Sequence, residues 1–94
     1  MNEKVEQLQK IRREIENIKF GNEDFLDEII IKGQRILYVI EPGTSVEQEN
    51  KIGEVIASAK RMREEDPRMV TRNKKGILWL ELSEGLNGAI KNLE

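Results

Sequence analysis

Basic side chains are concentrated between residues 60 and 75, a segment in which seven bases stand against three acids. Cations at this density bind phosphate groups or acidic protein surfaces. No aromatic residue lies among them, so the segment does not resemble a stacking platform for single-stranded nucleic acid. Lys60 and Arg63 complete this basic segment. The residues that we expect to contact a partner or an anion are Arg61, Arg68, Arg72, Lys74 and Lys75.

A second candidate site is the tripeptide Gly43, Thr44 and Ser45, which follows Glu41-Pro42 and precedes a predicted helix. Free backbone N–H groups at a helix N-terminus favour anions, and the two hydroxyls add donors. We therefore treat these three residues as a candidate phosphate loop. The glycine spacings of the common nucleotide-binding motifs are missing here, and Thr44-x-x-Glu47 has the form of a capping box, which uses some of the same donors.

The sequence contains no Cys and no His, so it lacks two of the residue types that most often carry out enzymatic chemistry. Thiolate nucleophiles, imidazole bases, disulfides and the usual zinc ligands are therefore excluded. The acidic cluster at residues 22–28 lacks the ligand order of a calcium-binding EF-hand loop. We expect a protein that is not an enzyme and that uses no metal and no cofactor.

The composition indicates one small domain spanning residues 1–94, with 36% charged residues, 4% aromatic residues and a formal charge of -2. The N-terminus is charged from residue 3, and the longest apolar run, at residues 36–40, has five residues. Neither feature suits a signal peptide or a membrane span. We expect a cytoplasmic protein that makes no membrane contact.

A helix is predicted over residues 2–19, where Leu8, Ile11, Ile15 and Ile18 are spaced by three, four and three residues. Such a narrow apolar seam is typical of a helix that pairs with another helix. Two interpretations remain open. The seam is either the self-association surface of a homodimer or the part of this helix that covers the chain's own sheet.

The predicted fold is α+β: an N-terminal helix, two β-hairpins flanking a long central helix, a mainly antiparallel sheet and a short C-terminal helix. One interpretation of the segment after Gly21 is a short helix that is capped by Asn22 and stopped by Gly33. The consecutive isoleucines at residues 29–31 favour the other interpretation, which has a strand at 28–31, a turn at 32–35 and a second strand at 36–40. The central helix is predicted over 44–65. The second hairpin has strands at 68–72 and 77–82 and a turn at 73–76. Tyr38 in the strand 36–40 and Trp79 in the strand 77–82 are predicted to lie in or beside the core, because both strands are apolar on both faces.

These features together predict a small non-enzymatic interaction protein (a regulator, adaptor or inhibitor) that acts through protein–protein contacts, as a homodimer. One alternative is a regulator that binds nucleic acid through the basic segment 60–75. Another is a protein that binds a small ligand or nucleotide at the loop before the central helix.

Overall fold

The computed structural model describes residues 2–40, 42–43 and 45–94. These residues form four α-helices and a single 3-10 turn at Pro67–Met69. The helices are α1 (Glu3–Glu16), α2 (Phe25–Val39), α3 (Val46–Glu64) and α4 (Arg72–Leu93). Since none of the described residues is in a strand, the predicted α+β fold and both of its hairpins are wrong, and the protein is a helical bundle.

Short loops make neighbouring helices antiparallel, and each helix packs against the next one along the chain. α1 also packs against α4, and α2 meets α4 across the centre of the bundle. One end of the bundle contains the α1–α2 loop and the α3–α4 junction. The other end contains the α2–α3 loop and both termini, where the Asn2 side-chain amide donates to the carbonyl of Leu93 at 3.2 Å.

α2 occupies the segment that was predicted to be the first hairpin. Phe25, Ile29 and Ile36 are fully buried, and their spacing is helical. Burial at this period outweighs the intrinsic preference of the isoleucine run for a strand, because β-propensity depends strongly on context. Gly33 lies inside the helix where α3 crosses it, and a Cβ at this position would stand only 2.7 Å from Cγ1 of Ile56. The glycine marks a close helix contact and not a turn.

α4 likewise replaces the second hairpin and extends to the C-terminal segment. The predicted turn at 73–76 forms its first turns, with Thr71 as the N-cap whose hydroxyl accepts from the backbone N–H of Lys74 at 3.2 Å. Gly85 lies against α3, where a Cβ would approach Cγ1 of Ile52 to 2.8 Å. Close packing between α3 and α4 therefore explains why a glycine, which is otherwise unfavourable inside a helix, occupies this position.

The first and third helices were predicted more accurately. α1 begins after Asn2, whose side chain accepts from the backbone N–H of Lys4 at 3.0 Å. α3 lies within the predicted central helix, and Ser45 is its N-cap without a side-chain capping bond. The predicted capping residue Thr44 lies outside the described residues. The α3 helix stops ahead of Asp66-Pro67, as expected, because the residue before proline avoids the helical region.

The core is one cluster of aliphatic side chains with Phe25 as its aromatic member. Burying an aliphatic side chain of this size contributes about 1.5–3 kcal/mol. Trp79 is half-buried against this cluster, as predicted, and its indole N–H donates to the carbonyl of Ile15 at 2.9 Å. Tyr38, by contrast, is 92% exposed, so its predicted place in the core is wrong. In the helical geometry of α2 it lies on the outer face.

Candidate interaction surfaces

The basic segment lies where α3 ends and α4 begins, and much of its charge is used within the chain. The Nη2 atom of Arg68 lies 2.7 Å from Oδ2 of Asp66, and this guanidinium holds the pKa of the Asp66 carboxyl below its usual range. Arg63 pairs with Asp27 of α2 at 2.8 Å. Arg61 donates to the hydroxyl of Ser58 at 3.0 Å.

Residues at the start of α4 hold the α1–α2 loop. The guanidinium of Arg72 lies 5.9 Å from the centre of the Phe20 ring. Lys75 donates to the carbonyl of Phe20 at 3.0 Å and stands over the ring of Phe25. Lys74 donates to the carbonyl of Met69 at 3.1 Å. The predicted turn at 73–76 is therefore helical, and the cations around it close one end of the bundle.

Acidic side chains lie beside the candidate phosphate loop, which is at the other end of the bundle. The backbone N–H of Gly43 donates to Oε2 of Glu49 at 3.2 Å, and Glu47 also lies in the first turn of α3. Ser45 is buried, and its hydroxyl accepts from the side-chain amide of Asn92 at 3.4 Å. Two of the three predicted residues thus face protein groups, and Thr44 lies outside the described residues.

The apolar seam of α1 lies inside the bundle. Leu8, Ile11 and Ile15 are no more than 2% exposed, and Ile18 is half-buried against the core. Of the two interpretations left open, cover within the same chain is the one compatible with this packing, although helices rather than a sheet supply the cover. Within the folded bundle, the buried residues of the seam are therefore not exposed to a second copy.

A cluster of three ionised side chains joins α1 to α2. Glu14 accepts from Arg35 through both carboxylate oxygens, at 2.7 and 3.2 Å, and from Lys32 at 2.9 Å. These hydrogen bonds, first from Arg35 and then from Lys32, lower the pKa of Glu14 to about 2. The carboxylate is therefore ionised at neutral pH and serves to hold two helices together.

A groove lies between α1 and α2 beside this ionic cluster. Its volume is about 480 Å³, and Ile31 and Tyr38 stand exposed along it. Among the described residues that line it, two are charged, and both are basic, Lys10 and Arg35. The other residues that line the groove are Gln7, Ile11, Gln34 and Val39. Sequence reasoning missed this surface because residues 28–40 were assigned to a β-hairpin with a turn at 32–35. On a helix, residues 31, 35 and 38 lie on one face.

The outer face of α4 carries a second depression, of about 510 Å³. Ile77 is 49% exposed and Leu80 is 52% exposed, and both line it together with Gly76. Arg72 and Asn73 complete the lining. This surface was also hidden by the strand assignment, since a strand would have placed residues 77 and 80 on opposite faces.

A third cavity, of about 460 Å³, opens at the end of the bundle between α2, α3 and the α3–α4 junction. Arg63 and Lys75 line it, and each already holds a partner within the chain. Among the described residues no group of three His, Cys, Asp or Glu side chains is placed to hold a metal ion. None of the described helices combines the length and apolar character needed to cross a membrane.

Comparison with protein-family models, with curated proteins and with solved structures found no significant match to this chain.

Proposed function

We propose that this protein is a non-enzymatic interaction protein that binds an acidic, amphipathic segment of a partner protein in the groove between α1 and α2. The observation that carries this proposal is the position of Tyr38, which is 92% exposed on a regular helix at the edge of the groove. Tyrosine supplies a large contact area at small cost in conformational entropy, and it is enriched among residues that dominate binding energy.

The chemistry of the groove supports a partner with apolar anchors. Ile31 is 48% exposed and lies about two turns along α2 from Tyr38. The two side chains can therefore contact an amphipathic segment at separate points. Gln7 and Gln34 at the rim supply amide donors and acceptors. Such a pattern of apolar anchors within a polar rim is typical of protein interfaces.

Charge supports an acidic partner. Among the described residues of the lining, Lys10 and Arg35 are the charged ones, and no ion pair of Lys10 occurs within this part of the chain. The charge of Arg35 is already paired with Glu14, so Lys10 is the cation that is left to attract an acidic partner. Complementary charge steers encounter and selects partners more than it adds affinity.

The alternatives have less support. Nucleic-acid binding through residues 60–75 would compete with the internal contacts of Arg63, Arg68 and Lys75. A phosphate at the loop before α3 would meet Glu49, which accepts from the N–H of Gly43. Catalysis has less support because no carboxylate is among the described residues that line the groove, and the neighbouring Glu14 is held in its ionised form by Arg35 and Lys32.

The proposal is tested by selecting peptides from a random displayed library against the intact protein. We expect the enriched peptides to combine apolar residues with Asp or Glu. Their affinity should fall about tenfold or more with Tyr38→Ala, in line with the loss of an interface hot spot. Lys10→Gln should weaken binding less and should flatten its salt dependence. Leu80→Ala is the control, an apolar residue on α4 that is 52% exposed and lies outside the groove, and it should leave the affinity unchanged.

Two results would overturn the proposal. Selected peptides without an acidic bias, or peptides that bind Tyr38→Ala as well as the unaltered protein, would contradict the groove as the site. Labelled duplex DNA and single-stranded RNA should be measured in parallel. Tighter binding of either, with a loss of about one log unit of affinity per log unit of salt for each phosphate contact, would favour the nucleic-acid alternative.

A further inference from the structure

The outer face of α4 is not explained by packing within the chain. The helix already buries a separate inner face, formed by residues such as Leu78, Leu82 and Leu86. Ile77 and Leu80 are therefore additional apolar residues, and each is about half exposed. They lie side by side on the surface, because residues three apart on a helix are neighbours.

Gly76 on the same face is equally unexplained by internal contacts. A Cβ at this position would meet nothing closer than Cε2 of Phe20, at 3.9 Å. Gly33 and Gly85 differ, because a Cβ at either would come within 3.0 Å of an isoleucine side chain. A glycine inside a helix costs about 1 kcal/mol relative to alanine. At Gly76, none of the described neighbours requires this cost.

Together these residues form a hole of the kind used when helices pair. Asn73, Gly76, Ile77 and Leu80 stand at positions i, i+3, i+4 and i+7, which are the four residues that surround a knob from a facing helix. The depression they outline has a volume of about 510 Å³, and its floor is the glycine. One large aliphatic side chain from another helix fits such a hole.

We propose that the occupant is a second copy of this chain, whose α4 packs antiparallel against the first about a two-fold axis between Ile77 and Leu80. In that register the partner's Leu80 lies opposite Ile77 and enters the hole floored by Gly76. The two-fold axis makes the reverse contact identical. The same surface thus supplies both the knob and the hole.

Charge selects the same register. Asn73 and Glu84 lie equally far from the proposed axis, about 8 Å along the helix at 1.5 Å per residue. Glu84 therefore falls beside the partner's Asn73 and Arg72. Both charged residues are exposed, although each has one internal contact, Glu84 with Lys51 at 2.7 Å and Arg72 with the Phe20 ring. A parallel pair would set like charges side by side, so complementarity favours the antiparallel arrangement.

This inference does not depend on the groove between α1 and α2, which opens on a different side of the bundle. The first measurement is the mass of the unaltered protein by light scattering and sedimentation from low to high micromolar concentration. We expect a reversible dimer. Leu80→Asp should give a folded monomer, with folding confirmed by circular dichroism, while Tyr38→Ala should dimerise as the unaltered chain does.

The register is tested by disulfide cross-linking. Because the sequence contains no cysteine, only the introduced cysteines can react. Chains carrying Asn73→Cys and chains carrying Glu84→Cys should form an intermolecular disulfide when mixed and should form far less when oxidised separately. Glu84→Arg should weaken the dimer about tenfold, and adding Arg72→Glu in the same chain should restore it. A one-chain mass at high micromolar concentration, a dimer that survives Leu80→Asp, or cross-linking of each cysteine variant with itself would overturn the proposal.

Discussion

Two helices each carry a pair of apolar residues three positions apart: Leu8 and Ile11 on α1, and Ile77 and Leu80 on α4. The first pair is at most 2% exposed, and the second pair is about half exposed. The difference comes from what else each helix offers. α1 has a single apolar stripe, which must supply its core contact, whereas α4 has a wider inner stripe that includes Leu82. Spacing alone marks a face as apolar, and competition between faces of one helix decides which is buried.

The largest effect on stability is expected for Ile11→Asp, which should abolish the folded state. The substitution places a carboxylate without a partner among fully buried side chains, a change that costs several kcal/mol in a small domain. Leu80→Asp is the matched control and should change the free energy of unfolding by about 0.5 kcal/mol or less at a concentration where the chain is monomeric. Urea unfolding followed by circular dichroism measures both. A folded Ile11→Asp monomer would contradict the assignment of this seam to the core.

A second test compares the two aromatic residues that were predicted together. Trp79→Ala should destabilise the bundle by about 3 kcal/mol, because it removes half-buried contact area and the hydrogen bond to Ile15. Tyr38→Ala should leave the unfolding free energy nearly unchanged, since the ring is exposed. Thermal and urea unfolding of the two variants, monitored by circular dichroism, give the comparison. Equal losses would place Tyr38 in contact with the core.

The glycines provide a third test. Gly33→Ala should destabilise the protein by about 1–3 kcal/mol, because the new methyl group overlaps Ile56. Gly76→Ala should stabilise the isolated chain by about 0.5–1 kcal/mol, because the site is open and alanine favours the helix. The melting temperature at low concentration distinguishes the two signs. A loss of stability in Gly76→Ala would mean that an internal contact requires the glycine.

The smallest expected effect is the pH dependence contributed by Glu14. Its pKa in the folded protein, about 2, lies below the ordinary value of 4.5, so its stabilising contribution is complete above pH 4.5 and is lost as the pH falls toward 2. With allowance for solvent screening of this partly exposed cluster, the contribution is about 1 kcal/mol. Urea midpoints of the unaltered protein and of Glu14→Gln should differ at pH 7 and converge near pH 2. A constant difference across this range would assign the effect to packing.

The sequence was informative for α1 and α3 because in these helices the caps, charges and apolar spacing agree. It misled at α2 and α4, where local signals opposed the fold. The isoleucines at residues 29–31 favour a strand when taken alone, but only Ile31 of the three faces outward. Gly33 and Gly85 resemble breaks, yet each is set by the approach of α3, which lies far away along the chain.

The candidate surfaces could not be found without the helices. Tyr38 and Ile31 share a groove edge only in helical geometry, and the exposure of Leu80 depends on which face of α4 the other helices cover. The basic segment was correctly seen as a concentration of charge. Its pairing with Asp27 and the carbonyl of Phe20 involves residues more than thirty positions away, which local spacing does not reveal.

The hydrogen bond from Trp79 to the last turn of α1 makes the sequence's one tryptophan a natural optical reporter of where α1 sits. α1 is the shortest of the four described helices, and its packing against α2 and α4 is less extensive than that of α3 against the same two helices. Elements with few contacts open more readily than the rest of a structure. Detachment of α1 exposes the indole to water and shifts its emission to longer wavelength while α2, α3 and α4 keep their circular dichroism. The two signals then separate fraying of one helix from unfolding of the whole bundle without any added label.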